Sequence, residues 1–398
     1  MRDRGILYAT ATLRALTTGF TGVALGLYLA ETGLAADAIG RIVSVGLAGA
    51  ALAALLATLA ADRLGRRRFL VATALVGALG TLVFALVRSP LALAFSAGLG
   101  MLNGMGRDRG AALILEQAAL PATVSAERRT RAFAVYTMLQ DIGHGLGALL
   151  AGLPSALAGP GDAPAAYRLA LVVCAAAAAL MALLYLRLGR TIEAGAGRAR
   201  QALSARSRGI LLRLSALFGL DSLAGGFLST ALLSYFFFER FAASAAAIGA
   251  LFFAARLLNA LSHLGAAWLA ARIGLVNTMV FTHIPSSLLL VTVAFAPSFP
   301  MAALLFLLRE GLVEMDVPTR SSYVLAVVEP GERTVASGVT NLVRLGGWAI
   351  APALAGSLMA TESLYLPLVI GAGMKIAYDL LLWRAFRGVK PSEEQGRS

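Results

Sequence analysis

Thr58-Leu59-Ala60-Ala61-Asp62-Arg63-Leu64-Gly65-Arg66-Arg67-Arg68 is a short charged turn between two long apolar runs, 37–61 and 69–88. An arginine at mid-bilayer costs roughly 2.5–3.5 kcal/mol on insertion scales, so four of them in six residues hold this turn in water. The flanking runs are another matter: a bilayer crossing takes about 20 apolar residues, and each run is long enough. Gly65 permits a tight turn, the arginines suit the cytoplasmic headgroups, and Asp62 is placed to cap a helix N-terminus.

The same alternation continues in both directions. Apolar runs fall at 6–30, 37–61, 69–88, 91–119, 132–153 and 167–188, then at 210–238, 244–270, 276–296, 300–328, 334–359 and 365–386. The chain of 398 residues is 59% hydrophobic and only 14% charged, with a mean hydropathy of +0.79. Soluble proteins carry about 25% charged residues, so much of this surface faces something other than water. Twelve spans use most of the chain and exclude a sizeable soluble domain, a disordered regulator and a nucleic-acid-binding module. The single cysteine, Cys174, excludes an internal disulfide framework.

Arginine also sets the orientation. Arg2 and Arg4, then Arg63 and Arg66 to Arg68, then Arg128, Arg129 and Arg131, then Arg384, Arg387 and Lys390 fall on one side. The linker 189–209 adds Arg190, Arg198, Arg200, Arg206 and Arg208 to that side. The other side carries scattered charges such as Arg88, Asp162 and Glu239. Positive residues mark the cytoplasmic face, so both termini are expected there, in a multi-pass protein of a bacterial inner membrane. The formal charge of +13 is then a topogenic signal with affinity for anionic lipid, and no nucleic-acid partner is expected. The first run, near 25 residues with Arg14 inside it, exceeds a signal-peptide core and reads as a retained span.

The two halves repeat at an offset of about 205 residues. Arg14–Tyr28 aligns without gaps to Asp221–Tyr235, Arg63-Leu64-Gly65 to Arg272-Ile273-Gly274, Thr130 and Ala132 to Thr334 and Ala336, and Ala151-Gly152 to Ala355-Gly356. Parallel halves with six spans each imply a pseudo-twofold axis along the membrane normal. The reading divides the chain into a bundle over 1–188, a cytoplasmic linker over 189–209, a second bundle over 210–386 and a cytoplasmic tail over 387–398.

With these residues in place, the chain resembles the major facilitator superfamily throughout its length. The turn at 58–68 looks like the superfamily's loop motif, with Thr58 in place of its leading glycine, and Asp62, Arg63, Gly65, Arg66 and Arg67 would steady a cytoplasmic gate. Its second-half copy has Ala271 where Asp62 stands. Gly143-x-x-x-Gly147-Ala148-x-x-Ala151-Gly152 is similar to the glycine motif of proton-coupled exporters, with a counterpart at Gly347-x-x-x-Ala351-Pro352-x-x-Ala355-Gly356. Small residues four apart also let helices pack closely. The region from Met315 to Asn341, with 274–285, looks like a broad bacterial branch of the superfamily. The resemblance implies an all-α fold of twelve transmembrane helices in two six-helix bundles, working by alternating access around a central site.

Ionisable residues within spans are functional candidates by default. Arg14 and Asp221 occupy equivalent positions on spans one and seven, and a pair between them across the pathway is expected, as a switch or as a static tie. Span four carries Arg107, Asp108 and Arg109, with Glu116 two turns further along the same face. Span ten carries Arg309, Asp316 and Arg320 on one face, with Glu310 and Glu314 at i,i+4, a spacing at which two carboxylates repel. Pro318 predicts a bend near Asp316. These charges form either a proton-coupling site or a lattice between helices. Asp141 and His144, at i,i+3 in span five, make a proton relay or a self-satisfied pair. His263, His283 and the pair Lys375/Asp379 carry less weight, the last as self-neutralisation at i,i+4.

No phosphate loop and no hydrolase or zinc-site signature occurs, so an enzyme, a cofactor and a metal site are not expected. The expected activity is proton-coupled efflux of a small molecule, amphipathic or cationic, by a monomer in the bilayer. The alternatives are an anionic metabolite bound by the arginines, or a non-transporting receptor on the same scaffold.

Overall fold

The computed structural model describes residues 2–125, 128–159, 161–193, 204–328 and 332–386. Among these the regular structure is helical throughout: α1 (Arg2–Glu31), α2 (Ala36–Leu64), α3 (Arg66–Leu86), α4 (Pro90–Gly100), α5 (Ala111–Ala119), α6 (Arg129–Leu150), α7 (Leu153–Leu157) and α8 (Ala163–Leu186). The second half supplies α9 (Ala205–Phe227), α10 (Thr230–Phe241), α11 (Ala245–Ile273), α12 (Leu275–Ala294), α13 (Phe299–Val313), α14 (Asp316–Ala326), α15 (Arg333–Thr361) and α16 (Leu366–Phe386). The expected tail at 387–398 and the middle of the expected linker, 194–203, lie outside the described residues.

Among the described residues nine helical stretches are long and apolar enough to cross a membrane. The other three apolar runs differ for local reasons. Span four, read as continuous over 91–119, is broken between Gly100 and Ala111. Asn103 there acts as a hydrogen-bonding post: its Oδ1 accepts from the Met105 N–H (2.9 Å) and its Nδ2 donates to the Arg107 carbonyl (2.6 Å). Such side-chain bonds compete with the helix ladder. Span ten breaks at Glu314–Met315, near the expected bend. Pro318 offers no N–H to the Glu314 carbonyl, which accepts instead from the Val317 N–H at 3.2 Å. Span five, α6, is intact but carries Gln140, Asp141 and His144. Span seven is also interrupted, at Leu228–Ser229, where Ser229 caps α10 by accepting from the Leu232 N–H (3.4 Å).

The chain packs as two compact units. Unit 1 takes Met1–Arg198 with Ser229–Phe253 and Pro352–Thr361, and unit 2 takes Ala199–Leu228, Ala254–Ala351 and Glu362–Ser398. The core of unit 1 gathers Leu7, Ala11, Leu70, Leu115, Tyr136 and Tyr185, and that of unit 2 gathers Leu214, Phe218, Tyr323, Tyr378 and Leu382. Leu52, Leu55, Leu56 and Leu59 of α2 stay exposed, as an apolar face suited to lipid. Between helices in lipid, close packing replaces the hydrophobic drive. At Gly147 an added Cβ would run into the Leu16 carbonyl and lie 2.7 Å from the Phe20 nitrogen, so only glycine lets α6 approach α1 this closely. Gly143 stands one turn earlier on the same contact, with Ala15 and Thr12 at 2.8 and 2.9 Å. In unit 2 a Cβ added at the counterpart Gly347 of α15 would lie 2.7 and 2.9 Å from Ser222 and Leu223 of α9. The glycines of span five thus let helices approach closely, and the sequence repeat carries this helix contact into both halves.

Candidate functional site

Among the described residues each unit holds a buried charge network beside a broken helix. In unit 1, Arg14 of α1 donates from Nε to Asp108, from Nη2 to Glu116 (2.7 Å) and Tyr136 OH (3.1 Å), and from Nη1 to Tyr185 OH (3.1 Å). Both tyrosines pass a hydrogen bond on to Glu116 at 2.6 Å, and Thr10 donates to it at 2.6 Å. Glu116 thus meets four donors and is 0% exposed. Asp108 lies in the break of span four, with its Oδ1 accepting from the Gly110 N–H (2.9 Å). His144 of α6 turns toward the same break, its Nε2 accepting from the Asp108 N–H at 3.3 Å.

In unit 2, Asp221 of α9 is a hub. Lys375 Nζ of α16 lies 2.9 Å from Oδ1, and Arg320 of α14 and Arg344 of α15 lie 3.2 and 3.7 Å from Oδ2. Arg320 also holds Asp316 one turn back. Beyond Lys375, His283 Nε2 sits 3.4 Å from Nζ, and its Nδ1 is 3.0 Å from Asp379. Three carboxylates, Asp221, Asp316 and Asp379, thereby face three cations, Arg320, Arg344 and Lys375, with His283 between. Buried charges without such partners would be prohibitively costly.

The repeat sharpens the comparison. The offset that carries Thr130 onto Thr334 carries Glu116 onto Arg320. Arg14 with Glu116 and Asp221 with Arg320 are therefore the same span-one-to-span-four tie, with the signs exchanged.

Several expectations need correcting. Arg14 and Asp221, expected to pair, each have partners inside their own unit: Arg14 has Asp108 and Glu116, and Asp221 has Arg320, Arg344 and Lys375. Arg107, Asp108 and Arg109 are not on a helix, so they share no helical face with Glu116. Span ten's charges do not act as one row: Asp316 and Arg320 join the hub, whereas Arg309 pairs with Glu310, which also accepts from Asn259 Nδ2 (3.0 Å). Glu314 lies in the break between α13 and α14, half-buried, so it and Glu310 are not one helical i,i+4 pair. Asp141 is half-buried on α6. Lys375 and Asp379 do not neutralise each other, since Lys375 turns to Asp221 and Asp379 to His283.

At the charged turn, Gly65 has φ 93° and separates α2 from α3, and Gly274 repeats this with φ 85°. Asp62 does not cap a helix: it accepts from Arg66 Nε at 3.1 Å. The cap of α3 comes from Glu193, in a 3-10 turn, whose carboxylate accepts from the Arg66 and Arg67 N–H groups at 2.8 and 3.0 Å. Arg66 further donates to the carbonyls of Ile192 (3.2 Å) and Ala118 (3.3 Å). Arg63 is exposed.

Sequence reading missed Arg344, Tyr136, Tyr185 and Thr10, and underweighted Lys375, His283 and Asp379. An arginine within an apolar run was a sufficient signal for Arg344. The tyrosines gave none, because a buried tyrosine in a helix looks like core. Among the described residues no group of three or more His, Cys, Asp or Glu side chains is placed to hold a metal ion.

Interrupted helices beside buried charges, repeated in both halves of a helical membrane protein, are an arrangement that recurs in secondary transporters. The sequence profile of the Major Facilitator Superfamily matches residues 7–352, and the chain belongs to that family of membrane transporters. It is 27% identical to the membrane protein YJR124C of Saccharomyces cerevisiae, over 98% of this chain and 95% of that one. Among solved structures, the nucleoside transporter NupG superposes with a TM-score of 0.75 at 17% identity, covering 97% of this chain and 100% of that one. A D-xylose–proton symporter superposes with a TM-score of 0.71 at 14% identity, covering 96% and 98%. At such identities these structures establish the fold.

Proposed function

We propose that this protein is a proton-coupled secondary transporter of a small molecule, working by alternating access, in the direction of efflux. In this reading it is a monomer in a bacterial inner membrane. Bundles over 1–188 and 210–386 flank a cytoplasmic linker, 189–209, and both termini are cytoplasmic, as the arginine distribution favours. The observation that carries the proposal is the Asp221 hub, one buried carboxylate shared by cations from three helices. Loss of its negative charge to a proton would release Lys375, Arg320 and Arg344 together and change what ties α14, α15 and α16 to α9. His283 lies against Lys375 and ties it to Asp379 of the same helix. A proton symporter with this fold supports the coupling. Efflux rests on the likeness of span five to the exporters' motif. Arg14, Arg309 and Arg320 already face carboxylates, which disfavours an anionic cargo.

The test is flux in proteoliposomes under an imposed pH gradient, comparing the wild type with Asp221→Asn across a panel of organic cations, sugars and organic acids. The variant is expected to lose gradient-driven flux while retaining counterflow exchange, which reports that it is folded. Full gradient-driven flux in Asp221→Asn refutes the coupling role.

A further inference from the structure

Within unit 1, bounded by α1, α3, α8 and the break in span four, lies a cavity of about 150 Å³. One water needs roughly 10–15 Å³ of such space, so it has room for about ten waters or a ligand of that size. Beside Thr18, whose hydroxyl can turn to donate or to accept, Thr17 and Thr21 of α1 and Thr73 and Thr81 of α3 line it. A threonine hydroxyl has one hydrogen and two lone pairs. Each of these four gives its hydrogen back to its own helix: Thr17 to the Arg14 carbonyl (2.9 Å), Thr21 to Thr17 (2.9 Å), Thr73 to Phe69 (2.9 Å) and Thr81 to Gly77 (2.8 Å). What they turn to the cavity is acceptors. Asp108 lines the same space and adds carboxylate lone pairs. Arg14, the one cation among the described lining residues, is held by two carboxylates, Asp108 and Glu116.

We propose that this cavity binds a small cation rich in N–H donors, of the primary ammonium type, with at most about ten heavy atoms. An ammonium group has three donors and no acceptor, so it meets an acceptor wall without leaving a lone pair opposed to another. A carboxylate ligand would set lone pairs against lone pairs, and a polyol would do so with two of the three hydrogen-bonding positions of each hydroxyl. Making this cation the cargo rests on the transport reading above; its binding does not.

Cys174, the chain's one cysteine, lines the cavity from α8 and reports occupancy without an engineered label. Full-length protein in nanodiscs would be reacted with 2-aminoethyl methanethiosulfonate in the presence of methylammonium, 1,4-diaminobutane, tetramethylammonium, glycerol or acetate. The first two are expected to slow labelling about fivefold once several times above their Kd. Tetramethylammonium has the charge without N–H donors and is expected to leave the rate unchanged, as are glycerol and acetate. Thr17→Val with Thr21→Val keeps the shape and removes two acceptors, and is expected to raise the half-protecting concentration about tenfold per lost bond. Equal protection by tetramethylammonium, protection by acetate or glycerol, or none by either amine overturns the proposal. Protection without proton-driven amine flux in proteoliposomes keeps the site and removes its role in cargo binding. Proton-driven flux of another solute, with Cys174 unprotected by amines, overturns the proposal and leaves the transport reading standing.

Discussion

Glu116→Gln tests whether the unit 1 network is an anchor. The carboxylate accepts four hydrogen bonds, two on each oxygen: Thr10 and Tyr185 on Oε1, Arg14 and Tyr136 on Oε2. Glutamine keeps one carbonyl oxygen, so its amide nitrogen must face two donors whichever way it turns. Breaking a buried ion pair costs about 3–5 kcal/mol, and Arg14 keeps Asp108, which places the loss near the lower end, about 3 kcal/mol. For a unit of this size 1 kcal/mol moves the Tm by about 2–4 °C, so a drop of about 6–12 °C is expected. The assay is thermal unfolding of the purified protein in detergent, followed by intrinsic fluorescence. Adding Arg14→Met should cost less than the sum of the two single changes, with a coupling of about 1–3 kcal/mol, because the pair is already broken. A Tm within 2 °C of wild type, or strictly additive losses, would refute the anchoring argument.

Three further outcomes follow from the packing and the cap. Gly147→Ala should destabilise by about 1–3 kcal/mol through overlap with α1, whereas Gly338→Ala, with open space around it in α15, should stabilise by about 0.4–1 kcal/mol; thermal unfolding reads both. Removing the cap with Glu193→Ala should cost about 1–2 kcal/mol locally and speed amide exchange in the first turn of α3 by about five- to thirtyfold. Unchanged exchange there would show that Glu193 does not hold that end.

The sequence by itself determined the architecture, because the bilayer imposes a simple code: long apolar stretches, arginines in the turns, and a glycine at each α2–α3-type corner, Gly65 and Gly274. It also flagged Arg14, Asp108, Glu116, Asp221, Asp316 and Arg320, since charge inside an apolar run is conspicuous whatever the fold. It predicted the bend at Pro318, where a missing N–H is a local fact. Pairing was decided only by the tertiary structure. Which of several buried counter-charges lies within 3 Å depends on helix rotation and on where a helix is interrupted. Three spans are interrupted, and around Asn103 the break took Arg107 to Arg109 off the helical grid on which their facing was reasoned. Lys375 and Asp379 show the same limit: i,i+4 spacing permits a pair, but each has a better partner on another helix. Local spacing fixes which residues can meet along one helix, and only packing decides which of them do.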